Sequence, residues 1–375
     1  MRNRRDSAFS ERRRRKNKRQ YLIPVICAAA FLAVGVLLYV LIFGTGASAE
    51  SFYSLSVTPE TQVEVNDKNV FYLSGSTLNC ADKTGAELWR VKLTSGAVNL
   101  SASDTQICVY SSDMATVLTA QGDHRYTLST TDIKTKGAKV GQDCAALLSS
   151  TDEGQFLRVF NGEGSEIYRS ESSSADIIDY GFYGQNDLLY VLTLDTTGTS
   201  PISRVTTISP STQSLTGTVD VTDQLISDVS FWDTNMVLCG TSTLAEYDNF
   251  GKQTDSSSIH GLVAADSCVT ENGYIYAFLP GNASDLTSSF TVRLIGRTDG
   301  QDTDTNIQLP SGMKGVSVSQ NKLYCIMTDS VYIYKLSGEF ERTIETPAQI
   351  ESVKKLGSNM LELCSKDEVY ILTME

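Results

Sequence analysis

One short pattern returns along this chain. An apolar, β-branched run ends, two to four polar residues follow, a glycine turns the chain and a second strand-like run leaves. It reads Leu78-Asn79-Cys80-Ala81-Asp82-Lys83-Thr84-Gly85-Ala86-Glu87-Leu88-Trp89 at its first occurrence. It recurs around Gly122, Gly164, Gly251 and Gly338. Successive glycines are 37, 42, 87 and 87 residues apart. Each longer gap holds two units of about 43, and four-stranded propeller blades repeat at roughly 40 to 50 residues. Between these turns, runs such as Leu188-Leu189-Tyr190-Val191-Leu192 and Tyr274-Ile275-Tyr276-Ala277-Phe278 are bounded by Asn, Asp, Ser and Gly, the punctuation of strands.

The expected fold is therefore all-β, a β-propeller of seven to eight four-stranded blades, preceded by one transmembrane helix. First strands are expected to begin near Val63, Asn99, Lys136, Ile177, Leu225, Gly261, Gly315 and Gln349. The units around 203–219 and 290–309 lack the clean glycine turn, which leaves the blade count open. The last unit ends after Glu368-Val369-Tyr370-Ile371-Leu372 with three strands of its own. The segment Phe52 to Val57 is expected to supply the fourth, closing the ring and removing two open sheet edges. A pair of β-sandwiches is the competing architecture, and it would not show the period.

The first 20 residues hold ten Lys or Arg against Asp6 and Glu11, and 23 residues without a charge follow from Tyr21 to Phe43. That length suffices to cross a hydrocarbon core of ~30 Å. Basic flanks stay cytoplasmic. The expected organisation is a basic cytoplasmic tail (1–20), a signal-anchor helix (21–43), a linker (44–51) and an extracytoplasmic domain (52–375). The chain is then a single-pass cell-membrane protein with its N-terminus inside. Ala47-Ser48-Ala49 offers a signal-peptidase pattern, but the apolar segment is longer than the roughly 7 to 15 residues of a cleaved signal. Beyond the tail the chain carries 21 basic and 42 acidic residues, the wrong sign for nucleic acid. Of eight cysteines Cys27 lies in the apolar segment. Cys108, Cys239, Cys325 and Cys364 sit in similar contexts, as small buried hydrophobes of a repeated strand position.

The run Asp82-Lys83-Thr84-Gly85-Ala86-Glu87-Leu88-Trp89 resembles the repeat of quinoprotein-like (PQQ-like) propellers, in which a D-x-x-T-G-x-x-x-W hairpin joins the two outer strands of a blade. The resemblance implies that Asp and Thr bond the turn, that Gly takes a positive φ and that Trp packs on the next blade. Tyr126, Tyr168 and Phe340 stand at or near the tryptophan place in later units. The layout as a whole is similar to uncharacterised membrane-anchored propeller proteins of Gram-positive, clostridial-type bacteria.

Motifs for chemistry are sparse. A quinone cofactor needs a calcium site and a tryptophan stack, and only Trp89 and Trp232 exist, so no cofactor is expected. Asp302, Asp304 and Asn306 have the 1, 3, 5 spacing of an EF-hand, but Ile307 and Met313 stand where Gly and Glu are required. A solvated hairpin tip is the expectation there, and no metal site. His124 and His260 have no triad or metal-ligand spacing around them. The residues that suit partner binding are aromatic. Phe231-Trp232 ends a first strand, and Tyr180, Phe182 and Tyr183 occupy the equivalent place one unit earlier. The function expected is a non-enzymatic binding or scaffolding module for a protein or cell-envelope partner. A glycoside-cleaving propeller enzyme and an external sensor signalling through the basic tail are the alternatives.

Overall fold

The computed structural model describes residues 50–374, apart from 94, 95, 97, 132, 153, 171–174, 233, 234, 271, 282–288 and 299. The basic tail, the apolar segment 21–43 and most of the 44–51 linker lie outside the described residues. Among the described residues no helix is long and apolar enough to cross a membrane.

Eight four-stranded antiparallel sheets follow one another along the chain, so the blade count is eight. In blades 1 to 7 the strands pair in chain order. Blade 8 holds Ser352–Leu356, Met360–Cys364 and Val369–Thr373, and its outermost place is taken by Ser51–Leu55. Tyr53 pairs with Ile371 and Leu55 with Val369. The expected closure by the N-terminal strand is the one observed. Glu50, just before that strand, is clamped by Arg342 and by Lys322 at 3.2 Å, both from blade 7.

The innermost strands begin at Val63, Asn99, Lys134, Asp176, Ile226, Leu262, Gly315 and Ser352, within three residues of each expected start. The core is divided among the blade interfaces. One buried cluster joins blades 1 and 2 through Phe71, Leu78, Leu100 and Ile107. Another joins blades 8 and 1 through Leu55, Val63, Leu356 and Ile371, which completes the ring. The other six consecutive interfaces each hold a cluster of the same kind. Sheets alone cannot bury both faces; stacking each on its neighbours does so.

The recurring glycine sits between the third and fourth strands. In the first hairpin the Asp82 carboxylate accepts hydrogen bonds from Thr84 N–H (2.8 Å), Thr84 Oγ1 (2.6 Å) and Ala86 N–H (3.0 Å), which hold it below the usual carboxylate range. Asn161 and Asp248 repeat the arrangement. Gly85 follows at φ +83°. A bulge between Cys80 and Ala81 then restores the register, the combination that suits a glycine in the left-handed region. One expectation is sharpened and one needs correcting. Phe340 is near the tryptophan place but not at it; it stands two residues earlier, across the bulge, and Arg342 occupies the place, opposite Ile333. The 290–309 unit does turn on a glycine, Gly300 at φ +73°, with Thr298 paired to Gln301 in long nine-residue strands.

Candidate functional site: the mouth between blades 4, 5 and 6

In an up-and-down sheet the turn between strands one and two and the turn between strands three and four leave from the same edge. All the glycine hairpins therefore share a face with the turns that follow the innermost strands. On that face two cavities surround the axis. One, about 350 Å³, is lined by first turns of blades 8, 1, 2, 3 and 4. The other, about 890 Å³, is lined from blades 4, 5 and 6 and contains the aromatic residues.

Two innermost strands build its wall. Asp176–Tyr183 of blade 4 ends in Phe182 and Tyr183, and Ile226–Trp232 of blade 5 ends in Phe231 and Trp232. Alternation along a strand sends neighbours to opposite faces, so Phe182 packs toward blade 3 and Tyr183 toward blade 5, and Phe231 toward blade 4 and Trp232 toward blade 6. Tyr183 and Phe231 stack face to face with ring centroids 3.7 Å apart and planes at 9°, a contact that joins two adjacent blades. Trp232 lies tilted against Tyr274 at 6.1 Å, and its Nε1 is buried without a hydrogen-bond partner among the described residues.

Four of the five aromatic residues singled out from sequence therefore line this cavity: Phe182, Tyr183, Phe231 and Trp232. Tyr180 does not. It is 6% exposed between blades 3 and 4, with its hydroxyl over Gly137, where a Cβ would stand 2.7 Å away. It is three residues upstream in the strand, too deep to reach the mouth. Tyr190 was missed. It packs on Phe231 at 5.4 Å and donates to Asp179 at 2.8 Å. Its signal, a tyrosine inside an apolar alternation, does not differ from that of a core residue.

The charged side chains that line the cavities of this face are carboxylates, while Lys68, Lys83 and Lys252 stand on its turns outside them. Among the described residues the first cavity is lined by Asp67, Asp104 and Asp187, a third that continues outward between blades 4 and 5 by Asp248, the aromatic one by no charged side chain, and none of the three by Lys, Arg or His. Some of these carboxylates also hold the turns. Asp187, itself at φ +50°, accepts backbone N–H bonds from Gln142 (2.5 Å) and Asp143 (2.6 Å), tying blade 3 to blade 4.

Asp179, Asp228 and Asp266 of the innermost strands are engaged with neighbours. Asp228 accepts from Tyr276, and Asp266 accepts from Ser317, from Val318 N–H (2.8 Å) and from the Lys355 ammonium at 2.8 Å. The aspartates with EF-hand spacing stand on a strand rather than in a loop. Asp302 and Asp304 pair with Arg297 and Arg293, each at 2.8 Å. His124 is exposed and bonds Thr127 at 3.0 Å. Among the described residues no group of His, Cys, Asp and Glu is arranged to hold a metal ion. The seven described cysteines are free thiols, and all but Cys144 are buried.

The fold is shared widely. BamB from Moraxella catarrhalis superposes with a TM-score of 0.54 at 13% identity, over 86% of this chain and 98% of that one. The C-terminal WD40 domain of Sif2 gives 0.56 at 13% identity, over 87% and 99%. The WD40 domain of SCAP from fission yeast gives 0.57 at 10%, over 86% and 98%. At such identities the likeness concerns architecture. No curated protein sequence matches the chain. A family model does, over residues 45–374, and the chain belongs to that family, a family of unknown function (DUF5711).

Proposed function

We propose that the protein is a non-enzymatic binding module, held at the outer face of the cell membrane by the apolar segment 21–43, that docks a protein or cell-envelope partner on the mouth formed by blades 4 to 6. The observation that carries the reading is the aromatic wall at the mouth. Phe182, Tyr183, Phe231 and Trp232 converge there from two blades, and the Trp232 indole N–H has no hydrogen-bond partner among the described residues. Aromatic residues with a polar edge are the typical anchors of protein interfaces. The engagement of Asp179, Asp228 and Asp266 with Tyr190, Tyr276 and Lys355 favours binding over glycoside cleavage, which needs a pair of carboxyl groups free to act on a sugar. A membrane anchor adds to such a module by raising its effective concentration near a target in the same envelope.

Photo-cross-linking tests this. A photoreactive residue at Gln185, exposed in the first turn of blade 4 and lining the cavity, is expected to capture a discrete partner in intact cells. The same residue at Asp329, exposed on the opposite face of blade 7, is not. Equal capture from both positions, or none from Gln185, contradicts the proposal.

A further inference from the structure

The packing between blades contains a repeated seat, which a ring fills over Gly85, Gly122 and Gly164 and, among the described residues, no ring fills over Gly251, Gly300 or Gly338. In blades 1 and 2 the residue of the outermost strand just after the bulge is aromatic, and its ring lies on the hairpin glycine of the next blade. Trp89, opposite Cys80, covers Gly122, where a Cβ would stand 3.0 Å from the indole. Tyr126, opposite Val117, covers Gly164 at 2.8 Å. Tyr53 of the closing strand does the same to Gly85 at 2.7 Å. At this register blade 4 has Gly217, opposite Thr207 and next to the bulge between Thr207 and Ile208. No ring reaches Gly251 of blade 5; a Cβ there would meet only the Thr218 carbonyl and Val219, each at 3.2 Å.

The place that a ring fills elsewhere is here a groove of about 430 Å³, bordered by Gly217, Val219, Asp248 and Gly251. It runs inward to Tyr183 and Phe231, which it shares with the aromatic mouth. Two apolar side chains that the fold leaves in water precede its lining residues in the chain: Leu215, 65% exposed, before Thr216, and Phe250, 86% exposed, before Gly251.

We infer that this seat is a docking site for an aromatic side chain, Trp or Tyr, carried on a cationic segment of the partner. The inference rests on the binding reading above and adds the chemistry of what is bound. An aromatic ring suits the seat because the same hairpin geometry accepts Tyr53, Trp89 and Tyr126 within the molecule. The cationic flank follows from charge complementarity: Asp248 borders the groove, Asp67, Asp104 and Asp187 line the neighbouring cavity of the same face, and among the described residues no basic side chain lines either.

The test uses the full chain in detergent and three labelled tetrapeptides, Lys-Trp-Lys-Arg, Lys-Ala-Lys-Arg and Glu-Trp-Glu-Glu, read by fluorescence anisotropy. The first is expected to bind at least about tenfold more tightly than either of the others. Gly217→Trp supplies the ring from within. Its backbone is not in the left-handed region, and a Cβ there meets only the Thr207 hydroxyl, at 3.0 Å. This variant is expected to lose about tenfold in affinity for Lys-Trp-Lys-Arg. Phe250→Ser, at an exposed tip where folding is not at stake, is expected to weaken the same peptide about threefold. Equal binding of the Trp and Ala peptides overturns the inference, as does unchanged binding in both variants. Self-association of the wild type that Gly217→Trp abolishes also overturns it, assigning the seat to a second copy. Capture from Gln185 without any peptide binding removes the seat and leaves the binding module standing; loss of both removes both.

Discussion

Glu362 stands on the second strand of blade 8, 3% exposed, with Oε2 free of hydrogen bonds among the described residues. Burial raises its carboxyl above the ordinary range, and Lys354 opposes the shift only in part. In the unfolded chain the group ionises near roughly 4.3. As pH climbs past that value the folded state still holds the proton, so the unfolded state ionises first and stability falls. Glu362→Gln removes this penalty. In thermal melts its Tm is expected to match wild type near pH 4 and to exceed it increasingly toward pH 7; a gain that shrinks with rising pH contradicts the assignment. Burial also pushes the thiols of Cys80, Cys108, Cys239 and Cys325 up to about 12. They are protonated at neutral pH and poor nucleophiles. Iodoacetamide is expected to label them only after denaturation, and labelling of the native chain within minutes contradicts the packing. At this scale the sequence was legible for Phe182, Tyr183, Phe231 and Trp232, because strand-end aromatics are visible in one dimension. It was silent on the Tyr183–Phe231 stack, which joins residues 48 positions apart, and on Tyr180, whose burial depends on Gly137 of the neighbouring blade.

The glycine hairpin is the element that organises the molecule, and its two physical demands can be separated. Gly122 needs both a positive φ, +91°, and the absence of a side chain under Trp89. Gly300 needs the φ of +73° alone, since nothing lies within 4 Å of a Cβ there. Gly300→Ala is expected to cost about 1 kcal/mol, the backbone contribution. Gly122→Ala adds the displacement of an indole and is expected to cost about 2 to 4 kcal/mol. Urea denaturation of the two variants measures the difference, and equal losses contradict the seat geometry. The hairpins were readable from sequence because Asp, Asn, Thr and Gly punctuate them at fixed offsets. The bulge was not, and without it the fourth strands cannot be aligned. Once the bulge sets the register, Trp89, Tyr126, Tyr168 and Gly217 fall in one column.

At the scale of the whole molecule, eight sheets share eight interfaces, and the last is completed by Ser51–Leu55 across blade 8. Deleting residues 50–55 uncovers the edge of Val369–Thr373 and the buried faces of Leu356 and Ile371. Gel filtration is expected to show aggregates or strand-exchanged oligomers that the full chain does not form, since an unpaired apolar edge recruits another chain. The ring in turn sets the function proposed for it. It holds the first turns of blades 4, 5 and 6 at a fixed spacing, and it places the unfilled seat beside Gly251 at the outer end of the same surface. The mouth and the seat are then one docking surface. Competition measures this most directly: the partner captured from a photoreactive residue at Gln185 is titrated with the Lys-Trp-Lys-Arg peptide. Capture that falls as the peptide saturates its site, and does not fall with Lys-Ala-Lys-Arg, is the result expected. Capture that persists at saturating peptide contradicts a single docking surface on blades 4 and 5.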